Sequence, residues 1–474
     1  MLYAAFGSSK KTGGSPHSRD ETQLRGVKTA MLKVCKKVVA AKRQRAVAPL
    51  ISALMLSSMG AHAGGGYFLP FYGGYTSQMA GTATAVGLDG LAASTNPGKL
   101  FAVGNRLDLG TNVAALYRRV ERQGGPDPSL DFGTTSDNSI FFVPQGGFAH
   151  RLGDNYAFGV ALYANGALNT AYPGDTGVPS SNQNPAACGS QPANFLSGCG
   201  QVGVDLSQVI VAPTAAWQFA PGNTLGISPL IAYQRFRAYG LQAFEPLSQN
   251  PGNVSNRGYD NAFGLGVRVG WYGEVLPSLT LGAAYSTKIY MQRFDRYRGL
   301  FAGDGHFDVP ANYSVGAAFR ATERWLLALD VQRIDFHGVP ALGNSLLNSL
   351  QNPQGAPLGS KDGSGFNWRN QTNYRFGTEF AVSPSVNIRG GLAYGRVPGD
   401  QSISSVSINT LSATPKTTAS VGFNWWYTPT HEFQFAYTHH FFGTYAGPSA
   451  VVPGATESVV ADVDVVWIGW AKRF

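Results

Sequence analysis

The sequence predicts an all-β fold, a 14-stranded antiparallel transmembrane β-barrel with an N-terminal hatch inside the lumen. Three observations lead to this prediction: an unusual composition, strands with one apolar and one polar face, and connections that are alternately short and long. The chain has 474 residues, of which 60 are glycine and only 13% are charged. So many glycines would interrupt long helices, and the 12% of aromatic residues argues against disorder.

The first 63 residues carry the whole net charge. They contain 11 of the 36 Lys and Arg residues and two of the 27 acids, which accounts for the net charge of +9. The basic pI therefore does not indicate a nucleic-acid partner, and none is expected. The basic residues precede an apolar run, residues 46–59, which is followed by Ala61-His62-Ala63. This order predicts a secretory signal peptide, because the run is too short to span a membrane.

The true start of the chain stays open between Met1 and Met31. Cleavage after Ala63 would leave a mature chain that begins at Gly64. An amphipathic membrane anchor is the alternative to a cleaved leader.

Period-two alternation beyond the leader predicts strands. In residues 432–442, one face carries Phe433, Phe435, Tyr437, His439 and Phe441, and the other carries Gln434, Ala436, Thr438 and His440. Residues 368–380 and 386–394 alternate in the same way. Soluble β-sandwiches also alternate, so this pattern alone does not identify a membrane protein.

The connections between the strands favour a membrane barrel. Short turns are predicted at 153–155, 221–223, 276–278, 322–324, 383–385 and 429–431. Longer polar connections are predicted at roughly 122–137, 171–204, 243–257, 296–306, 338–365, 397–413 and 446–456. Strict alternation of short and long connections is typical of outer-membrane barrels, and seven loops with six turns require 14 strands.

The organisation follows from these patterns: residues 1–63 form the extension and leader, 64–105 the hatch, and 106–474 the barrel. Residues 64–105 are rich in small side chains and show no sustained alternation. A barrel of this size is too wide for its own side chains to fill, which favours a plug over a periplasmic tail. The terminal Phe474 closes an alternating strand and predicts recognition by the barrel assembly machinery.

Two cysteines remain after the leader. Cys188 and Cys199 lie in a predicted loop, residues 172–203, that is rich in Gly, Pro, Asn and Ser. An even number of cysteines in an exported chain favours a disulfide, and two free thiols are the alternative. No metal site is expected, because the loop contains no histidine or further cysteine.

Several segments carry a family resemblance. They include Gly66-Tyr67-Phe68, residues 79–83, Asp89, residues 92–95 and Asn96-Pro97-Gly98 near the N-terminus, and residues 279–285, 309–316, 325–330, 368–380 and 388–394 in the barrel. In this order they resemble the long-chain fatty acid and hydrocarbon transporter family (FadL/TodX) of Gram-negative outer membranes. The resemblance implies a multi-pass protein of the outer membrane that passes long-chain fatty acids or aromatic hydrocarbons without a cofactor.

The resemblance also implies roles for individual residues. Tyr67 and Phe68 are expected to gate the substrate pocket, with ordinary hatch packing as the alternative. Asn96, Pro97 and Gly98 are expected to couple the hatch to the wall, with a simple turn as the alternative. Rearrangement of the hatch would then release substrate through a lateral opening, and the partners are the substrate and the outer-membrane lipid, including lipopolysaccharide.

The loop 338–365 contains an apolar helical pattern. Its members are Leu342, Leu346, Leu347 and Leu350, and they predict a short amphipathic helix within 343–351. In the family, loop helices of this kind form an external greasy groove. The alternative is that these leucines cap the barrel mouth.

The alternatives fall into two other classes of protein. A general diffusion porin or an adhesin is the alternative function. For a porin, Arg369, Arg375 and Arg389 would form a charged inward ring, unless they pair with Glu379 or hold a carboxylate. An enzyme is not expected, because the chain has no Gly-x-Ser-x-Gly motif, His439 and His440 face opposite ways, and the pair Asp335 and His337 lacks a nucleophile.

Overall fold

The computed structural model describes residues 66–175, 188–399, 401–403, 407, 409–411 and 416–474. The predicted leader, residues 1–63, lies outside these ranges. Within them, no helix combines the length and the apolar character that crossing a bilayer would require.

Within the described ranges, sixteen strands form one antiparallel sheet. They are β1 (Arg106–Gln123), β2 (Phe132–Thr135), β3 (Ile140–Leu152), β4 (Tyr156–Asn169), β5 (Gly203–Ala220), β6 (Asn223–Tyr239), β7 (Asp260–Leu276), β8 (Leu279–Ser286), β9 (Tyr290–Met291), β10 (Asn312–Thr322), β11 (Trp325–Ile334), β12 (Gln371–Ser383), β13 (Val386–Gly395), β14 (Thr417–Trp426), β15 (His431–Pro448) and β16 (Thr456–Arg473).

The sheet closes on itself. β16 pairs with β1 from Arg106↔Arg473 to Gln123↔Thr456. The short strands β2 and β9 add to the external ends of β1 and β7 and are not separate members of the ring. The ring therefore has 14 strands, each antiparallel to its neighbours, which confirms the predicted fold class.

The connections are distributed as predicted. Six tight turns join neighbouring strands at the edge where β1 begins and β16 ends, and all six lie at the predicted positions. The seven longer connections lie at the opposite edge. Turn residues such as Gly153 and Gly222, with φ of 65° and 70°, adopt a backbone conformation that glycine tolerates best.

The two faces of the barrel wall differ in polarity. Apolar side chains point outward and stay exposed, such as Leu265 at 67% and Leu329 at 61%. Their neighbours along each strand point inward and are buried. At the turn edge, Trp470 donates its indole N–H to the Tyr427 hydroxyl over 3.1 Å. Exposed aromatic residues at this level are typical of the interfacial girdle of a membrane barrel.

Residues 66–105, called here the N-terminal segment, contain little regular structure. They include α1 (Gly74–Gln78), α2 (Leu100–Val103) and two 3₁₀ turns, Ala92–Ser94 and Pro97–Lys99. Most of their side chains are buried, and they contact inward-facing residues of strands around the ring. These contacts place the N-terminal segment within the ring of strands.

The long loops contain further short helical elements. In the part of these loops that the structure describes, they include 3₁₀ turns at Pro128–Leu130, Gln242–Leu247, Pro251–Asn253, Asp295–Tyr297 and Phe336–Gly338, and the helices α3 (Pro340–Gly343) and α4 (Leu347–Gln351). The predicted short helix within 343–351 is confirmed but covers only Leu347–Gln351, and Leu342 of the predicted pattern belongs to the separate helix α3. The chain leaves the helical conformation at Asn344, whose backbone is extended (φ −64°, ψ 149°) and whose side-chain amide donates to the backbone carbonyls of Lys361 and Gly363.

Candidate functional site

An apolar cavity of about 260 Å³ lies among the long loops. It is lined by Leu168, Leu196, Ser197, Val204, Leu206, Phe236, Leu241, Ala243, Phe244, Leu247, Leu300, Phe301, Phe307, Ala341, Leu346, Leu350, Leu358, Ser364, Gly365, Phe366, Ser407, Leu411, Ala450 and Val451. None of these described residues is charged. The volume exceeds the ~150 Å³ of an apolar cavity that takes up benzene.

Contacts between separate loops build the cavity. Leu358 in the loop after β11 exchanges backbone hydrogen bonds with the loop after β6, donating to Leu247 over 2.8 Å and accepting from Gln249 over 3.0 Å. The Ser248 hydroxyl donates to the Gly299 carbonyl over 2.7 Å, which adds the loop after β9. Three loops that are far apart in sequence thus hold one another in place around an apolar space.

The disulfide loop supplies another wall of the cavity. Cys188 and Cys199 are bonded, with their Cα atoms 5.3 Å apart. Leu196 and Ser197, which lie between them, line the cavity. The Asn194 side chain accepts hydrogen bonds from the backbone N–H groups of Leu196 and Gly198, each over 3.0 Å. The cross-link therefore fixes a segment that touches the cavity.

The four predicted loop leucines separate into two groups. Leu346 and Leu350 line the cavity. Leu342 is fully buried in the hydrophobic core beside the cavity, and Leu347, on α4, does not line it.

Tyr67 and Phe68 lie on the side of the cavity that faces the barrel interior. The Tyr67 ring stands 5.6 Å from the ring of Phe307, which lines the cavity, and is stacked on Trp368 at 6.3 Å. Phe68 packs edge-on against Tyr67 at 5.1 Å. Neither predicted gate residue lines the cavity itself. Phe68 instead borders a second, polar cavity of about 30 Å³.

The barrel wall is interrupted beside these two residues. β3 pairs with β4 only from Leu152↔Tyr156 to Gly146↔Leu162. Pro144 follows, and proline has no N–H with which to continue a strand ladder. β4 also bulges between Ala164 and Gly166. In the part of the chain that the structure describes, no β3–β4 pairing continues beyond this point.

The N-terminal segment takes the free edge of β4 in place of β3. Phe68 pairs with Gly166, Leu69 donates to the Asn165 carbonyl over 2.9 Å, and Ala167 donates to the Tyr67 carbonyl over 3.0 Å. Towards the long loops, the chain before β3 and the chain after β4 come together again, where the Asp137 backbone N–H donates to the Ala171 carbonyl over 2.8 Å. A bounded gap in the wall is therefore covered by residues 67–69.

The Asn96-Pro97-Gly98 motif is held against β6 and β7. The Asn96 amide donates to the carbonyls of Thr84 and Trp271 over 2.9 and 2.8 Å, and its oxygen caps the following turn by accepting from Gly98. A Cβ at Gly98 would lie 2.8 Å from the Tyr272 nitrogen. The wall thus approaches this position too closely for a larger residue.

Buried charges fasten the N-terminal segment at other points. On β11, one carboxylate oxygen of Asp330 accepts from the N–H groups of Ala83 and Thr84 over 2.7 and 2.8 Å. On β7, the Arg268 guanidinium donates to the carbonyls of Ala93 and Ser94. Such charge-assisted bonds are stronger than neutral ones, so these contacts resist displacement.

Lys99 and Asp89 lie inside the N-terminal segment. The Lys99 ammonium donates to the carbonyls of Ala83, Val86 and Gly87 over 2.6–3.2 Å. Burial lowers the pKa of the Lys99 ammonium to about 8 and raises the pKa of the Asp89 carboxyl to about 7. Both directions follow from the cost of removing a charge from water.

The three arginines of the porin alternative do not share one environment. Arg375 donates to the Gln332 side chain over 2.6 Å, and Arg389 pairs with Glu379 over 2.5 Å. Arg369 precedes β12 and is exposed, so its prediction as an inward residue is wrong. Arg375 borders the 30 Å³ polar cavity, and none of the three arginines lines the apolar one.

The structure combines a closed 14-stranded barrel, an apolar cavity among the external loops and a chain segment packed across the lumen. These features define a class of protein, the outer-membrane transport barrels. The chain belongs to the outer membrane protein transport family (OMPP1/FadL/TodX), whose model matches residues 72–449. It is accordingly a protein of the outer membrane.

Solved structures share the fold at low sequence identity. The toluene transporter TodX of P. putida is 17% identical with a TM-score of 0.61, covering 86% of this chain and 99% of its own. A FadL homologue of Pseudomonas aeruginosa is 15% identical with a TM-score of 0.63, covering 86% and 100%. The toluene transporter TbuX of Ralstonia pickettii is 19% identical with a TM-score of 0.55, covering 86% and 99%. No curated protein matches the chain.

Proposed function

We propose that this barrel is a passive channel for neutral apolar compounds such as aromatic hydrocarbons, and that the N-terminal segment is its hatch. The observation that carries the proposal is the apolar cavity of about 260 Å³. An apolar solute gains nothing by entering a water-filled pore, whereas burial in such a cavity stabilises it by about 25 cal/mol per Å². Two of the similar structures described above are toluene transporters, which supports such a substrate.

The charges around the cavity favour neutral substrates over fatty acids. A buried carboxylate requires a cation or several hydrogen-bond donors. None of the described lining residues supplies a cation. The internal residues outside the described ranges, 176–187, 400, 404–406, 408 and 412–415, contain no Lys or Arg.

The route through the barrel would run from the cavity to the wall gap. Tyr67 and Phe68 stand between the two, since Tyr67 contacts Phe307 and Phe68 pairs with the edge of β4. Displacement of residues 67–69 would connect the cavity with the gap and let an apolar compound leave sideways. No energy source is needed for this step, because the substrate moves down its own gradient.

Filling the cavity is expected to abolish this function. The substitution Ala243→Trp introduces an indole into the cavity, and uptake of labelled toluene by a deletion strain carrying the variant should fall at least about tenfold, because the bound solute loses apolar burial. The matched control is Ala215→Trp, on the exposed outer face of β5. Equal toluene uptake with and without the wild-type gene would reject the proposed function.

A cation in the cavity is expected to change the preference. Leu350→Arg places a guanidinium beside the bound substrate, so palmitate binding should rise about tenfold while toluene binding falls, since a charge-assisted bond becomes available. Leu347→Arg, on the same helix but away from the cavity, is the control. Titration of the purified proteins measures both affinities. Tight palmitate binding by the wild type would contradict a neutral substrate.

A further inference from the structure

Two arginines stand side by side on the outer face of the barrel. Arg235 and Arg237 lie on β6, and the alternation of this strand points both outward: Gln234, Phe236 and Ala238 between and beside them are buried. Residues two apart on a strand present their side chains about 6.6 Å from one another. The two guanidinium groups thus form one cationic patch on the lipid-facing side of the wall.

The patch lies just beyond the external end of the apolar band. Leu225 lies near the turn edge of the barrel and pairs with the exposed Trp217. The outward residues of β6 from Leu225 to Ile231 are exposed and apolar. Tyr233 follows and packs against Phe263 with ring centroids 5.1 Å apart. The nine residues 225–233 match the 9–11 residues that a strand needs to span the bilayer, so Arg235 stands at the level of the lipid headgroups.

One tyrosine holds both arginines in place. The Arg235 guanidinium carbon lies 3.5 Å from the centre of the Tyr259 ring, and that of Arg237 lies 4.7 Å from it. The Tyr259 hydroxyl donates to the Asp205 carboxylate over 2.7 Å, which fixes the ring. Two cations stacked on one ring are already ordered, so a ligand would not have to immobilise them.

Asp205 offsets only part of the positive charge of the patch, because its single carboxylate interacts with both guanidinium groups. Among the described residues, no ion pair includes Arg235 or Arg237, and the Arg237 Nε donor is buried without a hydrogen-bond partner. Asp205, opposite Arg237 in the β5–β6 register, is only 3% exposed and already accepts from Tyr259. Two further arginines, Arg257 and Arg296, are exposed in the adjoining loops and are joined by a hydrogen bond of 3.0 Å.

The chemistry of the patch matches a phosphate group. Arginine pairs are preferred for phosphate, because each planar guanidinium can donate two parallel hydrogen bonds to its oxygens. In a Gram-negative outer leaflet, the phosphates at the boundary of the apolar layer belong to lipid A, the membrane anchor of lipopolysaccharide. We propose that Arg235 and Arg237, positioned by Tyr259, bind a lipid A phosphate on the outside of the barrel.

This site is separate from the transport pathway. Arg235 and Arg237 do not line the apolar cavity, and their side chains face the membrane. Phe236, between them, faces inward and lines the cavity. A lipid bound at this site would therefore lie against the opposite face of the same stretch of β6.

The test uses the full-length barrel refolded in detergent without lipopolysaccharide, with native mass spectrometry as the readout. Diphosphorylated lipid A is expected to bind at least about tenfold more tightly than its enzymatically dephosphorylated form. The double variant R235Q/R237Q should lose this difference. The control R320Q removes an exposed arginine at the turn edge of β10 and should keep it.

Each other outcome overturns the proposal. Equal binding of the two lipid A forms by the wild type would do so without any variant, so a folding defect cannot obscure the answer. An unchanged affinity in R235Q/R237Q, with the folded barrel verified by its heat-dependent gel shift, would place the phosphate elsewhere. Equally tight, arginine-dependent binding of phosphatidylglycerol or of inorganic phosphate would show a general anion site and reject lipid A as its specific ligand.

Discussion

Deletion of residues 64–105 is expected to leave a folded barrel that passes small hydrophilic solutes at least about tenfold faster than the intact protein. A ring of 14 strands is wider than the eight-stranded barrels that side chains alone can fill. The N-terminal segment occupies this space, with Asp330 and Arg268 fastening two of its stretches. Its removal would expose these inward polar groups to water, which they tolerate well.

Liposome swelling with sugars of graded size measures this effect. The gel shift of the unheated barrel shows whether the deletion variant has folded. Removal of residues 128–130, which form an exposed loop turn, is the control and should leave the swelling rate unchanged. A folded deletion variant with the swelling rate of the intact protein would rule out a plug.

The strands of the barrel were predictable because local rules decide them. Alternation of apolar and polar residues sets the face of each side chain, and turn residues set the register of each hairpin. In β15, for example, the even-numbered residues 432–440 point inward and are buried, as the sequence indicates. All six turns and all seven long connections lie where composition and spacing placed them.

The wall gap was not predicted, although the sequence carries its signal. Pro144 interrupts a run that otherwise reads as a strand, and a proline in a central strand removes a ladder hydrogen bond. What the sequence cannot show is that residues 67–69, far away along the chain, replace the lost partner. Such pairing depends on the closed barrel, which brings the N-terminal segment to the edge of β4.

The apolar cavity was only partly predictable. Leu346 and Leu350 were identified by their helical spacing, but most of the lining comes from other loops, such as Leu300, Phe301 and Leu358. Apolar residues in polar loops, as in the run Leu300-Phe301-Ala302, were a usable signal. The sequence gives no signal that these apolar residues meet in one cavity, because their meeting depends on contacts between different loops, such as that between Ser248 and Gly299.

A covalent link between the N-terminal segment and the wall is expected to stop transport if the hatch must move. Thr82 and Gly377 offer such a link, since a Cβ placed on Gly377 of β12 would lie 3.1 Å from the Thr82 Cβ. Disulfides usually have Cβ atoms about 3.5–4.5 Å apart, so Thr82 needs to shift by only a few tenths of an ångström. The flexible end of the Met79 side chain, 2.5 Å from the same Cβ, must also move aside. The Thr82 hydroxyl is buried without a partner, so replacing it leaves no neighbouring donor or acceptor unpaired.

The double variant Thr82→Cys/Gly377→Cys should therefore transport toluene at least about tenfold more slowly when oxidised than when reduced, measured in proteoliposomes. A bound substrate can favour the displaced hatch only by the free energy with which it binds the displaced state more tightly than the closed one. That free energy is far too small to break a covalent bond. The single variants are matched controls. The parent protein under reductant controls for the native disulfide between Cys188 and Cys199. Transport at the full rate through the verified cross-link would show that the stretch around Thr82 stays in place, and that residues 67–69 alone would have to uncover the gap.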